Sequence, residues 1–249
     1  AWVYRRYPVW ATASLLAREL RLGGCTETLM TACSSSAHAL GIAMQRVRSG
    51  AVPVALAGGT ESLCRLTLAG FGALGVLDPS GTRPFDIRRR GITLGEGAAF
   101  FVLEPLARAR QRGARVLAII AGYGASADAH HMVHPREDGA GAIAAIKLAI
   151  QDAEDFVRPE QIDYVNAHGT GTQQNDSAEA KAIAALFPDR SVFVSSSKSM
   201  IGHTLGAAAA LEAAVTVLAM ADGFCPPSAG VDVVAQELAT YVGGLILAH

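Results

Sequence analysis

The chain has 249 residues, 51% of them hydrophobic and only 17% charged, enough apolar material for one large core or two fused halves. The formal net charge is −1, and the basic residues are scattered apart from the run at 88–90, so no basic stripe suggests nucleic-acid binding. The four cysteines, Cys25, Cys33, Cys64 and Cys225, are spread without any CxxC pair, which argues against a disulfide framework or a zinc ribbon and for a reducing, cytoplasmic setting. No signal peptide is read at the start. The longest apolar stretch, residues 205–220, is interrupted by Glu212 and falls short of a bilayer span, so no membrane partner is expected.

In chain order, residues 14–22 predict a short helix ended by Gly23 and Gly24, and residues 26–30 a strand. Apolar residues at Leu40, Ala43, Met44 and Val47 have helical spacing, with Gly50 as the stop. Residues 52–56 and 95–103 contain short apolar runs of strand type. After Pro105 the order begins again. Strands are expected at 116–122, 162–166 and 192–195, and helices at 141–153, 177–187 and 205–221. Short apolar strands alternating with amphipathic helices imply parallel βαβ units, with helices on both sheet faces. The expected organisation is two successive α/β halves, residues 1–110 and 111–249.

Three segments carry chemistry. In TACSSS (residues 31–36), Cys33 lies between a strand and a helix, where unpaired N–H groups and the helix dipole favour a thiolate; the serines also suit helix capping. In NAHGTGT (166–172), His168 leaves a strand C-terminus and enters a Gly/Thr loop, the edge at which open α/β sheets gather ligands. In SSSKSMIGH (195–203), Lys198 and His203 sit on a loop between a strand and a long helix. A solvated lysine and a capping histidine are the ordinary fates of such residues. All three segments leave strand ends on one sheet edge, so a thiol, two imidazoles and an ammonium group can converge. That set suits a site handling a thioester and a developing negative charge. A metal reading through His130, His131 and His134 lacks accompanying Cys or carboxylate ligands at matching spacing, and no metal is expected. No GxSxG nucleophile elbow is present.

Together with ALAGGTES (55–62), RPFD (83–86), GEGAAFFVLEP (95–105) and YGASADAHHM (123–132), the three segments resemble the elongating β-ketoacyl synthases of fatty-acid and polyketide synthesis. The resemblance covers residues 14–230. It implies a thiolase-like fold of two similar βαβ halves with mixed sheets. It implies an acyltransferase performing decarboxylative Claisen condensation, with Cys33 as nucleophile. His168 and His203 would bind the extender's thioester carbonyl, and Lys198 would hold the second histidine, His203, and set the local charge. Thr170 and Thr172 would bond the pantetheine arm, and Glu179 would be a structural acid beneath the site. No cofactor is implied beyond phosphopantetheine-borne substrates. The implied partners are an acyl carrier protein and a second subunit, identical or related, paired through residues 26–30. Cys33 and His168 speak against the alternative, a non-catalytic scaffold subunit that only binds carrier protein. TACSSS and HGTGT lean towards polyketide enzymes, YGASADAHHM towards fatty-acid ones. The resemblance further implies an opening region before residue 14 and a closing glycine-rich motif after about residue 230, so the chain is expected to be a fragment of a longer synthase.

Overall fold

The structure, a computed structural model, describes residues 9–189, 192–235, 238 and 247–248. Helix α1 (Ala11–Glu19) begins one turn earlier than the sequence suggests and ends before Arg21, whose φ of +53° breaks the helical path. A 3-10 turn (Ala32–Ser34) leads directly into α2 (Ser35–Arg48), which ends at Ser49 with Gly50 at φ +75°. Strand β1 (Ala55–Glu61) and strand β2 (Gly97–Leu103) pair in register from Ala55↔Leu103 to Glu61↔Gly97. Their pairing is antiparallel. With the parallel pair described below it gives the mixed sheets that the resemblance implies, and β1 runs several residues beyond the predicted 52–56.

Between them lies α3 (Arg65–Ala73), and α4 (Leu106–Gln111) follows β2. In the second half come α5 (Ala140–Asp152), β3 (Tyr164–Asn166), α6 (Gln173–Leu186) and β4 (Phe193–Ser195). Strands β3 and β4 are parallel, with Tyr164 opposite Phe193, so β3–α6–β4 is the expected βαβ unit. A single-turn helix α7 (Lys198–Ile201), a 3-10 turn (Leu205–Ala207) and the long α8 (Ala208–Asp222) complete the part that builds the site. A short parallel pair, β5 (Ser228–Ala229) and β6 (Leu247–Ala248), lies beyond it.

The predicted strands at 26–30 and 116–122 have no ladder partner among the described residues. A strand is defined by its neighbour, and none of the described residues supplies one; Val116, Leu117, Ile119 and Ile120 stand exposed. On β2 the alternation is clear: Phe101 and Leu103 turn inward, whereas Phe100 and Val102 are exposed.

Helix α8 packs along α2 and both strands of the first sheet. The span Leu205–Asp222 is long and apolar enough to cross a membrane, with 18 residues at mean hydropathy 1.6, beyond what the sequence reading allowed it. One face of it packs against α2 and the first sheet and carries Glu212 beside Lys198, while only 22% of the span is buried and Leu218 and Met220 stand exposed. Small residues make the approach possible. A Cβ on Gly59 would lie 2.8 Å from the Gly206 carbonyl oxygen and 3.0 Å from the Ala207 Cα. One core gathers Leu40, Ala43 and Ala57 under the first sheet. The other gathers Phe85, Ile183, Phe187 and Val194 around the βαβ unit.

Candidate active site

Cys33 occupies the middle of the 3-10 turn, one residue after Ala32 at φ +51°. The serines around it do not cap α2. Ser34 and Ser35 donate to the carbonyls of Thr31 and Ala32, each at 2.7 Å, and thereby tie the turn closed. The Ser36 hydroxyl accepts from the Ala210 N–H at 3.0 Å, fastening α2 to α8 inside the protein. Cys33 therefore stands at the helix N-terminus, as the sequence implies. The expected thiolate does not follow: burial pushes the thiol above its ordinary range, and the Lys198 charge only partly opposes this.

His203 is 2% exposed and clamped through its backbone, donating to the Thr93 carbonyl at 2.7 Å and accepting from the Gly95 N–H at 3.0 Å. Its Nδ1 accepts from the Leu205 N–H at 3.2 Å, and its Nε2 lies 3.0 Å from Cys33 Sγ. A ring nitrogen accepting from a backbone N–H carries no proton, so the neutral imidazole holds its proton on Nε2, facing the sulfur. Burial, helped by the Lys198 charge, pushes the His203 pKa down to about 3, which keeps the ring neutral.

His168 follows β3. Its own N–H and that of Gly169 donate to the two Glu179 carboxylate oxygens, at 2.6 and 2.8 Å. Gly169 is required there: φ is +37°, and a Cβ would meet the Ser196 Cβ at 2.5 Å. The ring sits 5.4 Å from that of His203, edge to face. Its Nδ1 lies 3.3 Å from Lys198 Nζ. An ammonium has only hydrogens to give, so Nδ1 accepts and Nε2 again carries the proton. Burial, then the charge of Lys198, holds the His168 pKa well below the usual histidine range.

Lys198 is 1% exposed rather than solvated. Its ammonium contacts His168 and forms an ion pair with Glu212 of α8, whereas the resemblance had implied that it holds His203. The Thr170 and Thr172 hydroxyls bond each other at 2.9 Å beside the loop, and Thr170 is buried. Glu179 lies part-buried beneath the loop. Burial lifts its pKa to about 7, against the pull of the Gly169 and His168 N–H groups.

Sequence reasoning missed Glu212, noted above only as a break in an apolar stretch. A lone acid inside an otherwise apolar helix was the available signal, since such a charge needs a buried partner. Asn166 was also missed. Its amide reaches Ser197 at 3.4 Å and the Glu212 carbonyl and Thr216 at 3.3 Å, joining β3, α7 and α8.

One donor atom from each of Cys33, His168 and His203 falls within 4.8 Å of the others, the metal-type grouping found among the described residues. The tautomers oppose that use, because each Nε2 bears a proton where a metal needs a lone pair. His131 and His134 stack at 4.6 Å in the 123–140 region, with His131 Nδ1 accepting from the Val133 and His134 N–H groups.

The Cys33 thiol thus faces one imidazole N–H, with a second imidazole and an ammonium group behind it. Models of the β-ketoacyl synthase N-terminal and C-terminal domains match residues 6–109 and 117–232. The chain belongs to the β-ketoacyl synthase family. It is 43% identical over 222 residues to 3-oxoacyl-[acyl-carrier-protein] synthase 2 of Rhizobium meliloti (strain 1021), covering 85% of this chain and 52% of that protein. A putative polyketide β-ketoacyl synthase 1 of Streptomyces virginiae is 43% identical over 214 residues, 83% of this chain and 50% of that protein. The ishigamide ketosynthase/chain length factor superposes with a TM-score of 0.92 at 38% identity, covering 98% of this chain and 59% of that one. A type II polyketide acyl-carrier protein in complex with its ketosynthase gives 0.91 at 31% identity, over 98% and 60%. The fold is thus thiolase-like, and the chain spans about half the length of the curated synthases it matches.

Proposed function

We propose that this chain carries the condensing centre of a β-ketoacyl synthase and joins an acyl group on Cys33 to a malonyl-type unit on an acyl carrier protein. The observation that carries the reading is the pair of Nε2–H donors, one 3.0 Å from the Cys33 sulfur, both rings fixed from behind by Leu205 and Lys198. In the first step Cys33 sulfur attacks the carrier-bound acyl thioester. The acyl–sulfur bond to the carrier breaks, and the departing pantetheine thiolate takes up the Cys33 proton. The N-terminus of α2, the His203 N–H and the Lys198 charge stabilise the sulfur as it becomes anionic.

In the second step the malonyl unit loses CO2, and the released electron pair forms an enolate whose oxygen accepts from His168 and His203. Neutral donors aimed at charge that exists only along the reaction path form a large catalytic contribution. The enolate carbon attacks the acyl carbonyl and expels Cys33, giving a β-ketoacyl thioester on the carrier. In this reading Thr170 and Thr172 bond the pantetheine arm, Glu179 braces the His168 loop, and the substrates arrive on phosphopantetheine with no other cofactor.

A carrier protein and a second subunit, identical or related, are part of the proposal. The 26–30 segment, without a ladder partner among the described residues, supports pairing, as do similar chains solved with a carrier protein or a chain length factor. A division into halves near residue 110 is supported by the two domain matches, and a cytoplasmic setting by four free cysteines.

The test is intact mass after incubation with an acyl-carrier-protein thioester, beside Cys33→Ala. An acyl-sized gain that vanishes in the variant is expected, followed by β-ketoacyl product when malonyl-carrier protein is added. A gain that persists in Cys33→Ala, or carrier binding with no gain in the wild type, would overturn the reading.

A further inference from the structure

We infer that Glu61 is a positioning residue for His203: its carboxylate holds the turn that fixes the ring's tautomer and aims it at Cys33. The inference rests on the roles proposed above for Cys33 and His203. The His203 ring is set from behind by the Leu205 N–H, 3.2 Å from Nδ1. Leu205 pays for that geometry with φ at +44°, a left-handed conformation that a leucine does not adopt unaided. The next N–H in the chain, that of Gly206, donates to Glu61 Oε2 at 3.3 Å. The strained residue is thus held between the His203 clamp on Thr93 and Gly95 and the Glu61 carboxylate on the other side.

The carboxylate is presented from a rigid base. Glu61 is the last residue of β1, opposite Gly97 in the ladder, and at Gly59 the strand already lies against Gly206, Ala207 and Ser36 with no space for a Cβ. Without the acceptor, Leu205 is free to relax. Its N–H then leaves Nδ1, and nothing holds the His203 proton on Nε2.

Glu61 also places a negative charge near the thiol, whose surroundings include Lys198, Glu212, His168 and His203 as well. Removing that charge eases thiol ionisation, whereas losing the His203 donor hinders it. The two effects therefore oppose each other and can be separated by substitution.

The experiment follows iodoacetamide labelling of the Cys33 peptide across neutral to alkaline pH, resolved by mass from the exposed Cys25 and Cys64. It uses this chain as wild type, Glu61→Gln, Glu61→Ala and His203→Ala. Glu61→Gln keeps an oxygen for Gly206 but drops the charge, so Cys33 should label at least as fast as in the wild type, with its profile moved to lower pH. Glu61→Ala loses both and should label about fivefold more slowly than Glu61→Gln, the factor of one ordinary hydrogen bond, approaching His203→Ala. Should Glu61→Ala melt within the assay range, Glu61→Asp is read instead; it keeps the charge but withdraws the acceptor by one methylene, and it should label more slowly than wild type. Equal rates and profiles for the Ala and Gln variants, with His203→Ala still slow, overturn the positioning role alone. An unchanged His203→Ala overturns the proposed role of His203 and this inference with it.

Discussion

Replacing Lys198 with Met removes a cation that is 1% exposed and leaves the Glu212 carboxylate, itself 13% exposed, without its partner. Breaking a buried pair from one side costs about 3–5 kcal/mol, because the remaining charge keeps its desolvation penalty and loses its attraction. For a chain of this size that corresponds to a fall in melting temperature of roughly 6–20 °C. Glu212→Leu should behave alike, leaving the ammonium stranded instead. The double variant Lys198→Met/Glu212→Leu has no stranded charge, so it should recover most of the loss and lie well above the sum of the singles. Activity should not recover with it. Lys198 is what donates to His168 Nδ1 at 3.3 Å, and without that donor the ring is free to carry its proton on the wrong nitrogen. Decarboxylation of a malonyl thioester should then fall by about 10²–10³, as when an oxyanion donor is lost. Melting curves of the four proteins, with CO2 release measured on each, test both halves. Strictly additive destabilisation would show that the pair is not coupled, and a double variant with full decarboxylation would refute the role given to Lys198.

Glu179 predicts a pH dependence of stability. Its folded pKa is raised to about 7 from an ordinary 4.5, so the folded state holds a proton that the unfolded state has released between those values. Stability contributed by the protonated form is therefore complete below about pH 4.5 and is lost as pH rises towards 7, on the order of 3 kcal/mol in all. Asp176, raised to about 6, adds in the same direction. Glu179→Gln should flatten the decline in melting temperature over that window, and an unchanged slope would rule Glu179 out as its source. Gly59→Ala drives a Cβ to 2.8 Å from the Gly206 oxygen and should destabilise by about 1–3 kcal/mol; a melting temperature equal to wild type would show that β1 can yield.

How far the sequence was legible depended on where each residue's partner lies. Helices α2, α5, α6 and α8 were readable because their apolar spacing is local, as is the glycine that follows α2 and α8. Cys33, His168, Lys198 and His203 were readable because each sits in a motif at a strand or helix end, and the structure brings the four together. What was not legible is pairwise across distance. The segments at 26–30 and 116–122 look like strands, yet strand identity needs a neighbour that the segment itself cannot specify. Whether β1 and β2 run parallel or antiparallel is likewise a property of two segments about 40 residues apart. The same reason hides the chemistry of the site. The helix dipole at Cys33 is a local feature and favours the thiolate, but burial is a global one and wins, so the thiol is raised. The resemblance assigns Lys198 to His203, whereas the fold turns its ammonium to His168 and to Glu212, fourteen residues away on another helix. The atoms proposed as catalytic could thus be named from motifs, whereas the groups that set their protonation, Glu212, Leu205 and Glu61, became visible only once the backbone had folded around them.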